Sequence, residues 1–281
     1  NQAINDDHLA IQRRCIELTL EELEEAGQGG PPVAYAFVIM GSGGRGEMLL
    51  APDQDNGLIL AAAPDQAGRR WFQELAERVN TRLDEVGYIL CPGEIMARAP
   101  LFHKTLEEWR LQITRVTEHP TPKAARWANV ALDFDLLYGQ RSLVEDLRRH
   151  ALAELRARPR LLALMVEDDA EGRPPLGLFN RLLTEKQDER RGKIDLKRNA
   201  LRILADGARI YALRAGVDSR GTQERLTGAV RQGLLDAEYA ESVKAAHEAL
   251  TALLLDHQLR QAARSAPVDK LLTVSTRTPM E

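Results

Sequence analysis

The sequence predicts an α/β domain with a mixed sheet, followed by an all-α helical bundle domain. Three observations carry this reading. An apolar strand-like run, a glycine-rich turn and a second strand-like run follow one another between Ala34 and Leu60. An amphipathic helix comes next, over 71–86, and would cover such a sheet. From Arg141 onward strand-like runs disappear, and Leu, Ala and Arg recur at helical spacing. The expected division is a leading helix in 1–30, an α/β domain in 31–140 and a helical domain in 141–281.

Composition bounds the function before any motif does. The 281 residues are 44% hydrophobic and 28% charged, the values of an ordinary globular chain with room for one large or two average domains. A net charge of -4 gives no general attraction to nucleic acid or to anionic membranes, so neither is expected as a partner. Two cysteines, Cys15 and Cys91, are too few for a disulfide scaffold or a four-ligand zinc site. No apolar run approaches about 18 residues and no signal peptide is visible, so a cytoplasmic location is expected. The first residue is Asn1 rather than Met, which leaves room for a preceding domain.

Each element has its own signal. Leu9, Ile16, Leu20 and Leu23 define an amphipathic leading helix over 4–25, closed by the Gly/Pro-rich stretch 27–32. The continuous apolar run 33–40 reads as a central strand. The turn Gly41-Ser42-Gly43-Gly44-Arg45-Gly46 formally satisfies G-x-G-x-x-G. A dinucleotide-binding unit would then need a crossover helix, but Pro52 and the strand-like Gly57 to Leu60 arrive within about a dozen residues. A Walker loop lacks its Gly-Lys-Ser/Thr, and an EF-hand beginning at Asp53 would need Gly and Glu where Leu58 and Pro64 stand. Asp53 and Asp55 are two apart, so in an extended chain they face the same way. Two carboxylates on one face repel unless a cation lies between them, and beside a loop rich in backbone N–H groups they read as a metal–nucleotide site. The plain alternative is a solvated turn, for which Asp-Gln-Asp-Asn-Gly is also good chemistry.

Further on, Phe72, Leu75, Val79, Leu83 and Val86 set the helix over the sheet. Cys91 lies in a Pro-Gly turn with no histidine near it in sequence and reads as structural. His103-Lys104 precedes a helix around Trp109, and Lys104 is a candidate phosphate contact. The segment Trp127 to Leu137 reads as a strand closed by Tyr138-Gly139. Beyond it, helices are expected over 201–215, 223–234 and 243–259, with Pro174-Pro175 at a boundary and a polar, frayed tail after Ala266.

Gly41-Ser42-x-x-Arg45-x-Glu47 followed by Asp53-x-Asp55 resembles the nucleotidyltransferase superfamily signature. It is most similar to nucleotidyltransferases of the bacterial signal-transduction type, the DUF294 family with its C-terminal substrate-binding domain. These are relatives of the PII-protein uridylyltransferase and often follow CBS or cyclic-nucleotide-binding domains. Their pattern G-S-x-G-R-x-E-Q-x-x-x-x-D-Q-D-N-G is kept here with Met48 at the usual Gln. The tract from Cys91 to Ala97 is similar to the family's C-P-G-x-M-A segment. In the second half, Pro174 to Gly177, Ile194 to Lys197, Ala208-Arg209 and Thr222 to Leu226 resemble the substrate-binding domain.

The resemblance implies transfer of a nucleoside monophosphate from a nucleoside triphosphate to an acceptor, a protein by analogy with the uridylyltransferase. It implies Mg²⁺ or Mn²⁺ held by Asp53 and Asp55, with Asp133 as third carboxylate, and a nucleotide lying between the two domains. Asp135 stands where the family has an arginine and shares a strand face with Asp133, so the two are not separable at this level. Gly41 and Ser42 would donate to the β- and γ-phosphates. Arg45 is either a phosphate ligand or a clamp on the loop through Glu47. Asp195, Lys197 and Arg209 are either substrate contacts or a helix cap and surface salt bridges. Two other readings remain: a catalytically weak module that senses the nucleotide for neighbouring domains, and a helical interaction module on an α/β scaffold.

Overall fold

The computed structural model describes residues 2–170, 184 and 192–273, in two compact units, 1–161 and 162–281. In the first, the sheet order is β3-β2-β1-β4, from β1 (Tyr35–Met40), β2 (Asn56–Leu60), β3 (His103–Thr105) and β4 (Phe134–Gly139). Strand β1 pairs antiparallel with both β2 and β4, and β2 pairs parallel with β3. The sheet is therefore mixed, as the sequence predicts.

Burial explains the apolar run of β1. One sheet face, with Tyr35, Phe37, Ile39, Leu58 and Leu60, packs against α1 (Gln2–Glu25) and α3 (Gln66–Glu85) through Ile16, Leu23, Phe72, Leu75 and Val79. The other face, with Ala36, Val38, Met40 and Ile59, packs against α4 (Leu106–Glu118) and α6 (Arg141–Ala157) through Trp109, Ile113, Leu143, Val144 and Leu147. A strand covered on both sides has no polar face to show.

Helix starts are written locally. The Asp65 side chain accepts from Gly68 N at 2.8 Å and starts α3 earlier than its apolar periodicity does. Thr105 and Glu108 form a reciprocal capping box at α4.

Two expectations in this unit are corrected. The glycine-rich turn is helical: α2 (Gly41–Arg45) follows β1 directly and is closed by Gly46 in the left-handed conformation, with Glu47 N donating to Ser42 O at 2.8 Å. The run from Trp127 is not strand throughout. Residues Pro122–Ala131 form helix α5, and β4 begins only at Phe134. Thr121 caps α5 by accepting from Ala124 N, Pro122 takes the first-turn position, and Ala124, Ala128 and Ala131 bury one face.

The second unit holds α7 (Arg160–Ala170), α8 (Arg202–Ala215), α9 (Thr222–Arg231) and α10 (Ala237–Ala263). A π-helical turn, Lys197–Leu201, leads into α8. The unit is helical as expected, with one addition. Strands β5 (Lys193–Asp195) and β6 (Leu271–Thr273) form an antiparallel ribbon with Ile194 opposite Leu272. The segment from Ala266 to Thr273 is thus anchored: Asp269 N donates to Gln261 Oε1, and Asp269 Oδ1 accepts from Leu271 N, both at 3.0 Å, while the rest of the tail lies outside the described residues. The tract Pro174 to Gly177 lies outside the described residues. Among the described residues no helix is long and apolar enough to cross a membrane.

Candidate active site

The acid pair is entered from β1. Met40 N donates to Asp55 O at 2.8 Å, extending the β1–β2 ladder to the residue just before β2 begins. The four residues leading into β2 alternate: Asp53 and Asp55 are half-buried, Gln54 and Asn56 buried. In extended backbone that alternation sends the two carboxylates to one side and the two amides to the other.

Gly41 makes the corner out of β1 at φ 58°, and a Cβ there would lie 2.7 Å from Asp55 Oδ2. The carboxylate therefore rests directly over the first residue of α2, a position that both space and backbone conformation reserve for glycine. Cys91 lies beside Asp55. Burial, and then the Asp55 charge, push its thiol up, so it stays protonated and donates to the carboxylate. Cys91 is structural in the sense expected, but it is also a wall of the acid site, which sequence separation hid.

Arg45 closes the other side of α2. Its Nε donates to Glu47 Oε2 at 2.8 Å and its Nη1 to Asp133 Oδ2 at 2.7 Å. Burial opposes the Arg45 charge, but Asp133 and Glu47 outweigh it and hold the guanidinium protonated beyond its ordinary range. Arg45 thus ties Glu47 and Asp133 to α2.

The same contacts tie Asp133 to α2. Asp133 lies just before β4, on the other side of β1 from β2: Asp55 covers Gly41, while Gly44 lies on the Asp133 backbone. Among the described residues no three His, Cys, Asp or Glu side chains converge to hold a metal ion. Gly44→Ala would place a Cβ 2.3 Å from the Asp133 carbonyl oxygen. We expect it to cost the first unit about 1–3 kcal/mol, read by chemical denaturation.

Asp135 faces α6, with Oδ1 3.7 Å from both Arg141 Nη1 and Arg148 Nη2, and the Arg148 guanidinium lies over the Phe134 ring. Helix α6 thus brings cations to the place where the resemblance expects an arginine on β4. Lys104, on β3, packs 5.0 Å over the Trp109 ring and donates to Leu101 O. Burial lowers its ammonium to about 8, against the opposing pull of Glu108. The Ser42 side chain is half-buried within α2.

In the second unit, Asp195 accepts from Arg198 N at 2.8 Å, a cap on the turn that Lys197 opens. Arg209 is buried and paired with Asp206 at 2.7 Å on α8. Sequence reasoning missed their neighbour Asp169 on α7. Burial, then Asp206, push its carboxyl up to about 7, against the pull of Arg202 and Arg209. The folded unit thus keeps a proton that the unfolded chain, with a carboxyl near 4, has released. Stability is lost as pH rises from about 4 through 7, and Asp169→Asn removes that loss. The variant should match the wild type near pH 4 and exceed it at pH 8 by about 1–2 kcal/mol, the linkage value reduced for solvent screening of a half-buried group, read by thermal melts across pH.

A comparison with curated proteins returns no match. A family model described as Putative nucleotidyltransferase DUF294 matches residues 1–123. A second, described as Putative nucleotidyltransferase substrate binding domain, matches residues 159–281. With the two matches covering most of its length, the chain belongs to this nucleotidyltransferase family.

Proposed function

We propose that the first unit binds a nucleoside triphosphate with Mg²⁺ or Mn²⁺ at Asp53 and Asp55 and transfers its nucleoside monophosphate to an acceptor hydroxyl. In that reaction the acceptor hydroxyl gives its proton to water, its oxygen bonds to the α-phosphorus, the bond from that phosphorus to the bridging β-phosphate oxygen breaks, and pyrophosphate leaves. One observation carries the reading: half-buried Asp53 and Asp55 alternate with the buried amides Gln54 and Asn56, and the Asp55 carboxylate rests against Gly41.

Hard oxygen donors, two in number, fit an ion that keeps several waters and takes its other ligands from phosphate, as Mg²⁺ does. Bound there, the ion would neutralise charge on the phosphates and lower the pKa of the acceptor hydroxyl. The chain's own residues position. Gly41 leaves room for Asp55, Gly41 and Ser42 offer donors to phosphate, and Arg45 fixes α2 through Glu47 and Asp133. Such transfers ask mostly for placement and charge neutralisation. By the uridylyltransferase resemblance, the acceptor we propose is a protein hydroxyl.

The position of Asp133 favours a second reading, in which the nucleotide is bound and reported to other domains with little turnover. Its Oδ2 accepts from Arg45 Nη1, a contact that would compete with a metal ion for that oxygen. Calorimetric titration of the four common nucleoside triphosphates, with and without Mg²⁺, tests what the two readings share. Absence of Mg²⁺-dependent binding for all four would overturn both. Pyrophosphate release and α-label transfer to protein in a cell extract then separate the enzyme from the sensor.

A further inference from the structure

The residues that aim the acid pair do not lie only in its own segment. Gln54, Asn56 and Asn80 are buried, with Asn80, on α3, fully enclosed. Asn80 Nδ2 donates to Gln54 Oε1 at 2.9 Å and to Asn56 Oδ1 at 3.0 Å. Its backbone oxygen accepts from Gln54 Nε2 at 2.9 Å, and its Oδ1 accepts from Arg98 N at 3.2 Å. Gln54 Nε2 also donates to Tyr88 O at 2.8 Å, and Asn56 Oδ1 accepts from Ala97 N at 2.8 Å. Two backbone bonds run alongside, Gln54 N to Ile89 O and Asn56 N to Ile95 O. One asparagine thus joins both inward-facing amides of the acid segment to the 88–98 loop, which carries Cys91.

We infer that Asn80 is a positioning residue that holds Asp53 and Asp55 on one face, ready for a divalent cation. The inference rests on the proposed role of the acid pair as the metal site. Two like charges two residues apart favour any backbone rotation that separates them. Rotating either one outward turns Gln54 or Asn56 out of the amide cluster and leaves Asn80 donors unsatisfied in the interior, which is costly. The cluster therefore works against the repulsion before any ion arrives, and binding the ion needs no reordering of the segment.

The test is Mn²⁺ affinity, read from the electron paramagnetic resonance signal of free Mn²⁺ in the presence of α,β-methylene nucleoside triphosphates. The wild-type chain is compared with Asn80→Ala and with Leu83→Ala. Leu83 is a buried residue of the same helix whose apolar side chain makes no hydrogen bond to the amide cluster, and it controls for lost stability. All are measured where circular dichroism shows them folded. The expected result is at least tenfold weaker binding for Asn80→Ala and less than a twofold change for Leu83→Ala. Equal affinity of Asn80→Ala and wild type would overturn the inference, as would equal weakening by both substitutions. If the wild type itself fails to bind Mn²⁺, the metal reading falls first and takes the inference with it.

Discussion

Replacing both Asp53 and Asp55 by alanine is expected to abolish the Mg²⁺-dependent part of triphosphate binding and to lower any transfer rate by roughly three orders of magnitude or more, the scale of several kcal/mol of charge stabilisation. The fold should survive. Both side chains are half-buried, and the backbone bond from Met40 N to Asp55 O is kept by any residue at 55. Calorimetry with triphosphate and Mg²⁺, beside a melting curve, reads both effects. Pyrophosphate release that persists in the double variant would sink the mechanism, even if the nucleotide still binds.

Asp133→Leu should have the larger effect on stability. The Asp133 side chain is fully buried, and Arg45 is 13% exposed with Asp133 and Glu47 as partners. Removing one carboxylate leaves a guanidinium inside the first unit with half its compensation, which is expected to cost about 3–5 kcal/mol. The double variant Arg45→Met/Asp133→Leu removes the stranded charge and should recover much of that loss. Denaturant titrations of the two variants and the wild type measure it. A loss under about 1 kcal/mol for Asp133→Leu would show that the pair does not hold α2 in place.

What the sequence made legible follows how local each signal was. The strand of Tyr35–Met40 stood out because burial on both faces leaves it uniformly apolar, and the acid pair stood out because its partner is two residues away. Helix α5 was hidden by its alanines, whose burial is as compatible with a strand as with a helix. The decisive signal was Thr121-Pro122 ahead of them. The ribbon of Lys193–Asp195 with Leu271–Thr273 escaped because three residues give too little alternation to see. Asn80 escaped for another reason. On a helix otherwise read by its apolar spacing, an asparagine looks like surface, and its partners lie 24 and 26 positions earlier. Long-range polar pairing has no period. The pairing of Asp133 with Arg45 is of the same kind, since the two lie 88 positions apart.

The ribbon also sets a timetable for synthesis. Every strand of the first sheet has been made by Gly139, and that unit is complete at 161. Ile194, by contrast, must wait for Leu272, about 80 residues later, before its backbone groups are paired. At the roughly 5–20 residues per second of translation, that is on the order of 4–16 s during which the later half is still missing a strand. The nascent chain would therefore present a finished acid site well before the helical unit that follows it could close.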